Sequence, residues 1–259
     1  YFFSKDGKFD FSLLRHIKQF PENSVFKNLG IDINNENEVV KNYIKAQEEI
    51  NKRDGDTIRF LKTHSAMHDI NGYSFTNLKN TLGAIYIVRD PRKIINSYAN
   101  HSDISLEDAK NRILEVKTLG GKKEVNNTTI IHAGSWASNY NSWKLFKKVK
   151  KYLLVKYEDL VEKPETTFIS VIKFVQSLTN SNFSIDNIKL NNTLKTTTFE
   201  YLQNLEQKNY FEESSKTKKG EIKFFKYGLE NDGIKNVPID LRRDLEKVLK
   251  KEMEELGYI

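Results

Sequence analysis

Three short stretches carry side chains able to do chemistry, and each stands at the end of an apolar run. Lys62-Thr63-His64 closes Thr57–Leu61, Arg89 closes Ala84-Ile85-Tyr86-Ile87-Val88, and Tyr157-Glu158-Asp159 closes Tyr152–Lys156. A neutral histidine takes a proton from a hydroxyl that attacks an electrophile, and the charge of the adjoining Lys62 favours that neutral form. Arg89 suits a bidentate grip on a phosphate, and Ser97, eight residues on, adds a hydroxyl donor. Spacing alone leaves the alternatives open. Arg89 serves equally well in an ion pair with Asp90 or a neighbouring carboxylate, and a lone histidine is more often a surface or structural residue than a base. His16, His68, His101 and His132 lack a comparable context.

The elements that must position these residues follow from local pattern. Ala84–Val88 is too short for a helix and rich in β-branched residues, so it reads as a strand buried on both faces. At Arg89-Asp90-Pro91 the strand stops: Pro91 suits the first helical position, and Asp90, kept out of helical geometry by Pro91, can cap. Ile94, Ile95 and Tyr98 then recur at helical spacing. Arg89 therefore stands where a strand ends and a helix begins, the edge at which open α/β sheets bind ligands.

Thr57–Leu61 and Tyr152–Lys156 read as further buried strands. Helices are expected over Asn35–Ile50, Ser105–Leu119 (opened by a Ser105-Leu106-Glu107-Asp108 capping box), Ser135–Val149, Pro164–Leu178 and Pro238–Leu256. Trp136 and Trp143 mark a core-facing stripe in the third of these. Lys5-Asp6-Gly7-Lys8 signals a turn, Gly120–His132 a polar loop, and Thr179–Asn192 a loop-like connection. Thr193–Leu205 becomes helical after Thr196-Thr197-Thr198, and Glu206–Lys223 reads as a mobile loop or lid. Strands alternating with helices imply an α/β, three-layer architecture with a central parallel sheet flanked by helices.

Composition narrows the class. The 259 residues show no linker-like break, so one domain over 1–259 is expected. Apolar residues make up 38% and aromatics 12%, enough for a core and too much for a disordered chain. No run is long and apolar enough for a membrane span, and no signal peptide is visible. The absence of cysteine excludes disulfides, zinc–thiolate sites and thiol catalysis within these residues, and fits a reducing, cytoplasmic compartment. No carboxylate cluster suggests a metal site. The net charge of +7 suits anionic partners such as nucleotides. Much of it lies in lysine runs such as Lys147-Lys148-Val149-Lys150-Lys151, which read as solvated faces. A nucleic-acid partner would rest on charge alone, and the acidic stretches between these runs argue against it.

Taken in order, five motifs resemble the sulfotransferase family in its bacterial type. They are Lys62-Thr63-His64 after a strand, Arg89 with Ser97, Lys156-Tyr157-Glu158-Asp159-Leu160, Thr197-Thr198-Phe199, and Phe225-Lys226-Tyr227-Gly228. The ending Met253-Glu254-Glu255-Leu256-Gly257-Tyr258 is similar too, and the resemblance spans roughly 57–259. It implies a P-loop NTPase-like fold related to the nucleotide kinases, with 3′-phosphoadenosine 5′-phosphosulfate (PAPS) as donor and no metal. His64 would deprotonate the acceptor, and Lys62 would place it or stabilise charge near the sulfuryl group. Arg89 and Ser97 would hold the 3′-phosphate together with Lys226 and the backbone around Gly228. Tyr157 and Thr197 would contact the adenine, with Phe199 against its face; plain core packing is the other reading of Phe199. Glu158-Asp159 reads as a helix cap. The acceptor would be a hydroxyl on a small molecule, a carbohydrate or a similar compound. Residues 1–30, the segment after His64, 102–135 and 206–222 would form its pocket.

The chain departs from the family in one large respect. The 5′-phosphosulfate loop, of the form Pro-Lys-Ser-Gly-Thr-Thr-Trp, does not occur in residues 1–259, and Ser4-Lys5-Asp6-Gly7 has no apolar strand before it. That strand and loop are expected upstream of Tyr1. Tyr227 stands where the family usually has a basic residue, Gly233 where a Trp is usual, and Lys235 is displaced by one. A catalytically inactive nucleotide-binding or interaction module of the same fold is the alternative reading.

Overall fold

Asp90 and Pro91 end a strand and start a helix as their chemistry requires. The Asp90 carboxylate accepts the backbone N–H of Arg92, and Pro91 fills the first helical position. The computed structural model describes all residues except 53–57, 120–128, 209–210, 212–214, 218–219 and 226–233. In chain order come β1 (Ile17–Gln19), α1 (Asn23–Asn28), α2 (Glu36–Lys41), α3 (Tyr43–Lys52), β2 (Phe60–Lys62), β3 (Ala84–Val88), α4 (Pro91–Ser102) and α5 (Leu106–Leu114). Next are β4 (Thr118–Leu119), β5 (Ile131–His132), α6 (Trp136–Trp143), β6 (Tyr152–Lys156), α7 (Tyr157–Glu162) and α8 (Pro164–Thr179). The chain closes with α9 (Asn187–Lys195), α10 (Phe199–Lys208), β7 (Ser215–Thr217), β8 (Gly220–Ile222), α11 (Ile239–Val248) and α12 (Lys250–Glu255).

Packing divides the chain into two compact units. One comprises Tyr1–Leu13, Ile87–Leu114 and Leu154–Ile259; the other comprises Leu14–Tyr86 and Glu115–Leu153. In the second unit β1 and β2 run parallel, with Ile17 opposite Phe60 and Gln19 opposite Lys62. Its core is aromatic: Phe20, Phe26, Tyr43, Phe75 and Trp143 meet one another at centroid distances of 5.3–6.2 Å. Edge-to-face and tilted geometries dominate there, as ring quadrupoles favour. In the first unit, α4, α5 and α11 pack together, with Ile95 and Leu245 fully buried. The turn at Gly7 (φ +84°) lies so close to α9 that a Cβ there would stand 2.1 Å from the Lys189 carbonyl oxygen. Only glycine fits that approach.

Strands β3 and β6 are neighbours in one sheet. The Ala84 N–H donates to the Lys151 carbonyl (2.9 Å), and at the other end Arg89 meets Tyr157, so the two strands run the same way.

Several elements differ from the sequence expectation. Ile87 in β3 is 61% exposed, so that strand is not buried on both faces. The helix expected over 35–50 breaks at Asn42, whose side chain donates to the Glu38 carbonyl and competes with the helical ladder. The helix expected to reach Leu119 stops at Leu114, although Ser105 does cap it by accepting the Asp108 N–H. Thr118–Leu119 instead pairs antiparallel with Ile131–His132, a partner too far away in sequence for local pattern to reveal. Past Trp143 the expected helix tightens into a 3₁₀ segment over Lys144–Val149. Within the connection expected at 179–192, α9 forms from Asn187, capped by Asp186. The lid-like stretch contains the antiparallel pair β7–β8, and the last helix is interrupted at Leu249.

Phe26 has no exposed surface and touches two other rings of this core. Phe26→Ala should cost about 3–5 kcal/mol of stability. A shift in the chemical-unfolding midpoint worth less than about 1 kcal/mol would show that this core is not built as described.

Candidate active site

The paired ends of β3 and β6 carry one group of candidate residues, in the first unit. Arg89 is the residue after β3 and Tyr157 the first of α7; the Arg89 guanidinium carbon lies 4.5 Å from the Tyr157 ring centroid. That is a cation–π contact between two residues 68 apart. Among the described residues Arg89 pairs with no carboxylate: Asp90, 3% exposed, gives its carboxylate to Arg92 at 2.7 Å. Arg92 reaches Glu246 as well, at 2.6 Å. Hydrogen bonds to Asp90 hold the Arg92 pKa above its ordinary value. Among the described residues the buried Nε of Arg89 has no hydrogen-bond partner. A guanidinium stacked on one face, with an N–H donor unused, fits an anionic ligand.

Ser97 lies on α4, and its hydroxyl donates to the Ile94 carbonyl of that helix at 2.9 Å. Thr197, exposed between α9 and α10, donates to the Thr193 carbonyl at 2.8 Å. Neither hydroxyl is joined to Arg89 by these bonds. Phe199 opens α10 and stands edge-on to Phe225 at 6.1 Å. The Phe224 and Phe225 N–H groups donate to the Glu206 carboxylate at 2.7 and 3.0 Å, and the Phe225 carbonyl accepts from Gln203 at 2.8 Å. Helix α10 thus fixes the backbone leading into Lys226. Lys226 and Gly228 lie outside the described residues.

The second unit carries its own group of candidate residues, around His64. Lys62 is the last residue of β2; His64 is two residues on and exposed. The backbone around His64 is fastened at every step. The Asn139 amide donates to the His64 carbonyl (3.1 Å) and to the Ala133 carbonyl (2.8 Å). Trp143 Nε1 donates to the Ser65 carbonyl (3.0 Å), the Ala66 N–H to the His132 carbonyl (2.8 Å), and the Met67 N–H to Ser142 Oγ (2.8 Å). The Asn139 oxygen in turn accepts from the Tyr86 hydroxyl at 3.0 Å. Burial raises the Tyr86 pKa above its ordinary value, which keeps that hydroxyl a donor. Helix α6 is itself set by Gly134 (φ +70°), where a Cβ would stand 2.5 Å from Ser138 Oγ. A reciprocal capping box follows between Ser135 and Ser138.

Asn139 was not singled out from the sequence, although a signal was there. It occupies the i+3 position of the stripe Trp136, Tyr140, Trp143, and a polar side chain in such a stripe needs partners.

A model of the sulfotransferase domain matches residues 11–257. The chain belongs to the sulfotransferase family. No curated protein matches it in sequence. Its fold is similar to that of retinol dehydratase in a complex with androsterone and the inactive cofactor PAP (14% identity, TM-score 0.55). That match covers 80% of this chain, which spans only 57% of the retinol dehydratase chain. Mouse sulfotransferase SULT7A1 complexed with PAP is similar too, at 15% identity and a TM-score of 0.51, covering 92% of this chain and 83% of that one. Both matches show the α/β sulfotransferase fold. Among the described residues, no helix is long and apolar enough to cross a membrane.

In this chain, His132 sits beside the His64 loop, with Nε2 3.2 Å from a Glu36 carboxylate oxygen. Burial lowers its pKa, and Glu36, 47% exposed and screened by water, only partly opposes the shift. With a folded pKa below the ordinary 6.5, the folded state binds fewer protons than the unfolded chain as the medium acidifies. Stability is therefore full above about pH 6.5 and is lost as pH falls through the folded value. The unfolding free energy of the unmodified chain should fall more steeply between about pH 7 and about pH 5 than that of His132→Gln. Equal slopes would contradict it.

Proposed function

We propose that this chain transfers a sulfuryl group from PAPS to an acceptor hydroxyl, with His64 as the general base. The observation that carries the reading is Arg89, an arginine at paired strand ends that is stacked on Tyr157 and, among the described residues, shares no carboxylate and keeps a buried N–H unused. Those features suit a nucleotide phosphate beside an aromatic ring, and both structural relatives hold PAP. When bound, PAPS supplies a sulfuryl group already activated by its phosphate leaving group.

The residues of this chain divide the remaining work. His64, its backbone carbonyl held by Asn139, takes the proton from the acceptor hydroxyl. Lys62 places the acceptor or offsets charge that develops at the transferring group. Arg89, Ser97, Lys226 and the Gly228 backbone hold the 3′-phosphate, while Tyr157, Thr197 and Phe199 take the adenine. A sulfate ester carries less charge than a phosphate, so lysine, histidine and backbone N–H groups suffice to stabilise transfer, and no metal is invoked. The acceptor is a small molecule, a carbohydrate or a similar hydroxyl compound, and the enzyme belongs in the cytoplasm of a bacterial cell.

Residues 1–259 form one sulfotransferase-like domain in this reading, the family match running through both packing units. One face of β3 is left open, with Ile87 61% exposed. The lack of a Pro-Lys-Ser-Gly-Thr-Thr-Trp loop within 1–259 also favours a second reading, an inactive nucleotide-binding or interaction module.

Calorimetry with PAP tests the nucleotide site. The full natural chain should bind it, and Arg89→Ala should lose at least about tenfold in affinity, the worth of one charge-assisted hydrogen bond. Absence of binding by the unmodified protein would overturn the reading, and equal binding by the variant would move the 3′-phosphate elsewhere. His64→Ala should cut turnover about 100- to 10,000-fold while PAP affinity stays within about twofold. A variant with near-normal turnover would exclude His64 as the base. Binding of PAP without any sulfuryl transfer across a hydroxyl-acceptor screen would favour the inactive module.

A further inference from the structure

Glu158 reads from the sequence as a helix cap, but its carboxylate does something else. One oxygen accepts the backbone N–H of Asp90 at 3.1 Å, and the other accepts the Tyr258 hydroxyl at 3.2 Å. Asp90 and Glu158 each directly follow one member of the Arg89–Tyr157 pair. The two strand ends are therefore joined twice in succession, first by the guanidinium over the ring and then, one residue on, by the carboxylate on the N–H. Two fastenings at consecutive residues fix an orientation that one contact would leave free to swing.

The far side of the brace is anchored as well. Tyr258 is held by its own backbone: its carbonyl accepts from Arg92 Nη2 at 2.8 Å, and its N–H donates to the Met253 carbonyl at 2.8 Å. Lys156, the last residue of β6, donates to the Leu256 carbonyl and lies 5.2 Å from the Tyr258 ring centroid. Burial first, then Glu158, raises the Tyr258 pKa above the ordinary phenol value, so its hydroxyl stays a donor. Arg92 ties the carboxylate of Asp90 to the same C-terminal segment.

We propose that Glu158 is a positioning residue for nucleotide selection, which holds Arg89 in the orientation that recognises the 3′-phosphate and so separates nucleotides that carry one from those that do not. The proposal rests on the sulfotransferase reading above. It acts through backbone geometry: the peptide from Arg89 to Asp90 is pinned by Glu158, and the plane of a guanidinium must match its phosphate for bidentate bonding.

The test compares PAP with adenosine 5′-phosphate, which lacks the 3′-phosphate, by calorimetry on the full natural chain. Glu158→Ala should weaken PAP at least about tenfold and adenosine 5′-phosphate less than about threefold. Glu158→Gln, which keeps a carbonyl oxygen for the Asp90 N–H, should restore most of the PAP affinity. Tyr258→Phe removes a single hydroxyl, spares the fold if Glu158→Ala does not fold, and should shift selectivity in the same direction by a smaller factor. Equal losses for both nucleotides in these variants, or no loss for either, would overturn the proposal. If Arg89→Ala loses PAP and the Glu158 and Tyr258 variants do not, the positioning role fails and the sulfotransferase reading stands. If the unmodified chain binds neither nucleotide, both fail.

Discussion

The Asp90 carboxylate goes to Arg92, and the chemistry at the end of β3 depends on that choice. An aspartate directly after Arg89 would be its natural partner, and the pair would then be neutral. Arg92 takes the carboxylate at 2.7 Å and carries it to Glu246 and the C-terminal segment, so that a buried acid is paid for by a different cation. Arg89 keeps its charge and rests on the Tyr157 ring. A guanidinium tolerates this better than an ammonium, because it is weakly hydrated and an aromatic face returns about 0.5–2 kcal/mol. Asp90 meanwhile does three things with one residue: it caps α4, balances Arg92, and gives its N–H to Glu158.

Around His64 the constraint is of another kind. A residue on a loop holds a position only if its backbone polar groups are bonded to something rigid. Helix α6 supplies that through Asn139, Ser142 and Trp143, and β5 through the His132 carbonyl. Asn139 gives up apolar contact in a stripe that is otherwise aromatic. Its amide is satisfied on both sides, by two carbonyls and one hydroxyl, which is the condition for placing such a group there.

Local chemistry was legible wherever a few adjacent residues decided the outcome. The Asp90–Pro91 junction, the Ser105 cap and the β6 span stand as their residues dictate. The turn at Gly7 was legible as a turn, but its approach to α9 was not. Pattern failed where strand pairing, rather than the spacing of apolar residues, decides the element. Thr118–Leu119 looks like a helix end until Ile131–His132 pairs with it, and β7 with β8 looks like a polar loop until the two strands meet. The spacing of apolar residues in β3 reads as two buried faces, while Ile87 remains open because burial depends on what lies against a strand.

Sequence by itself determined the family, because five short motifs from Lys62-Thr63-His64 to Phe225-Lys226-Tyr227-Gly228 occur in the family's order, and it named the strand-end residues, because Lys62, His64, Arg89 and Tyr157 stand at the ends of short apolar runs. It could not decide what those residues do with their charges and donors. Arg89 had two equally good roles on paper; the tertiary structure sends Asp90 to Arg92 and places Tyr157 beneath the Arg89 guanidinium. Glu158 read as a cap and Asn139 drew no notice, since hydrogen bonds to Asp90, Tyr258, His64 and Tyr86 join residues that only folding brings within reach. Residue type sets which bonds a side chain can make, and the fold sets which partner arrives.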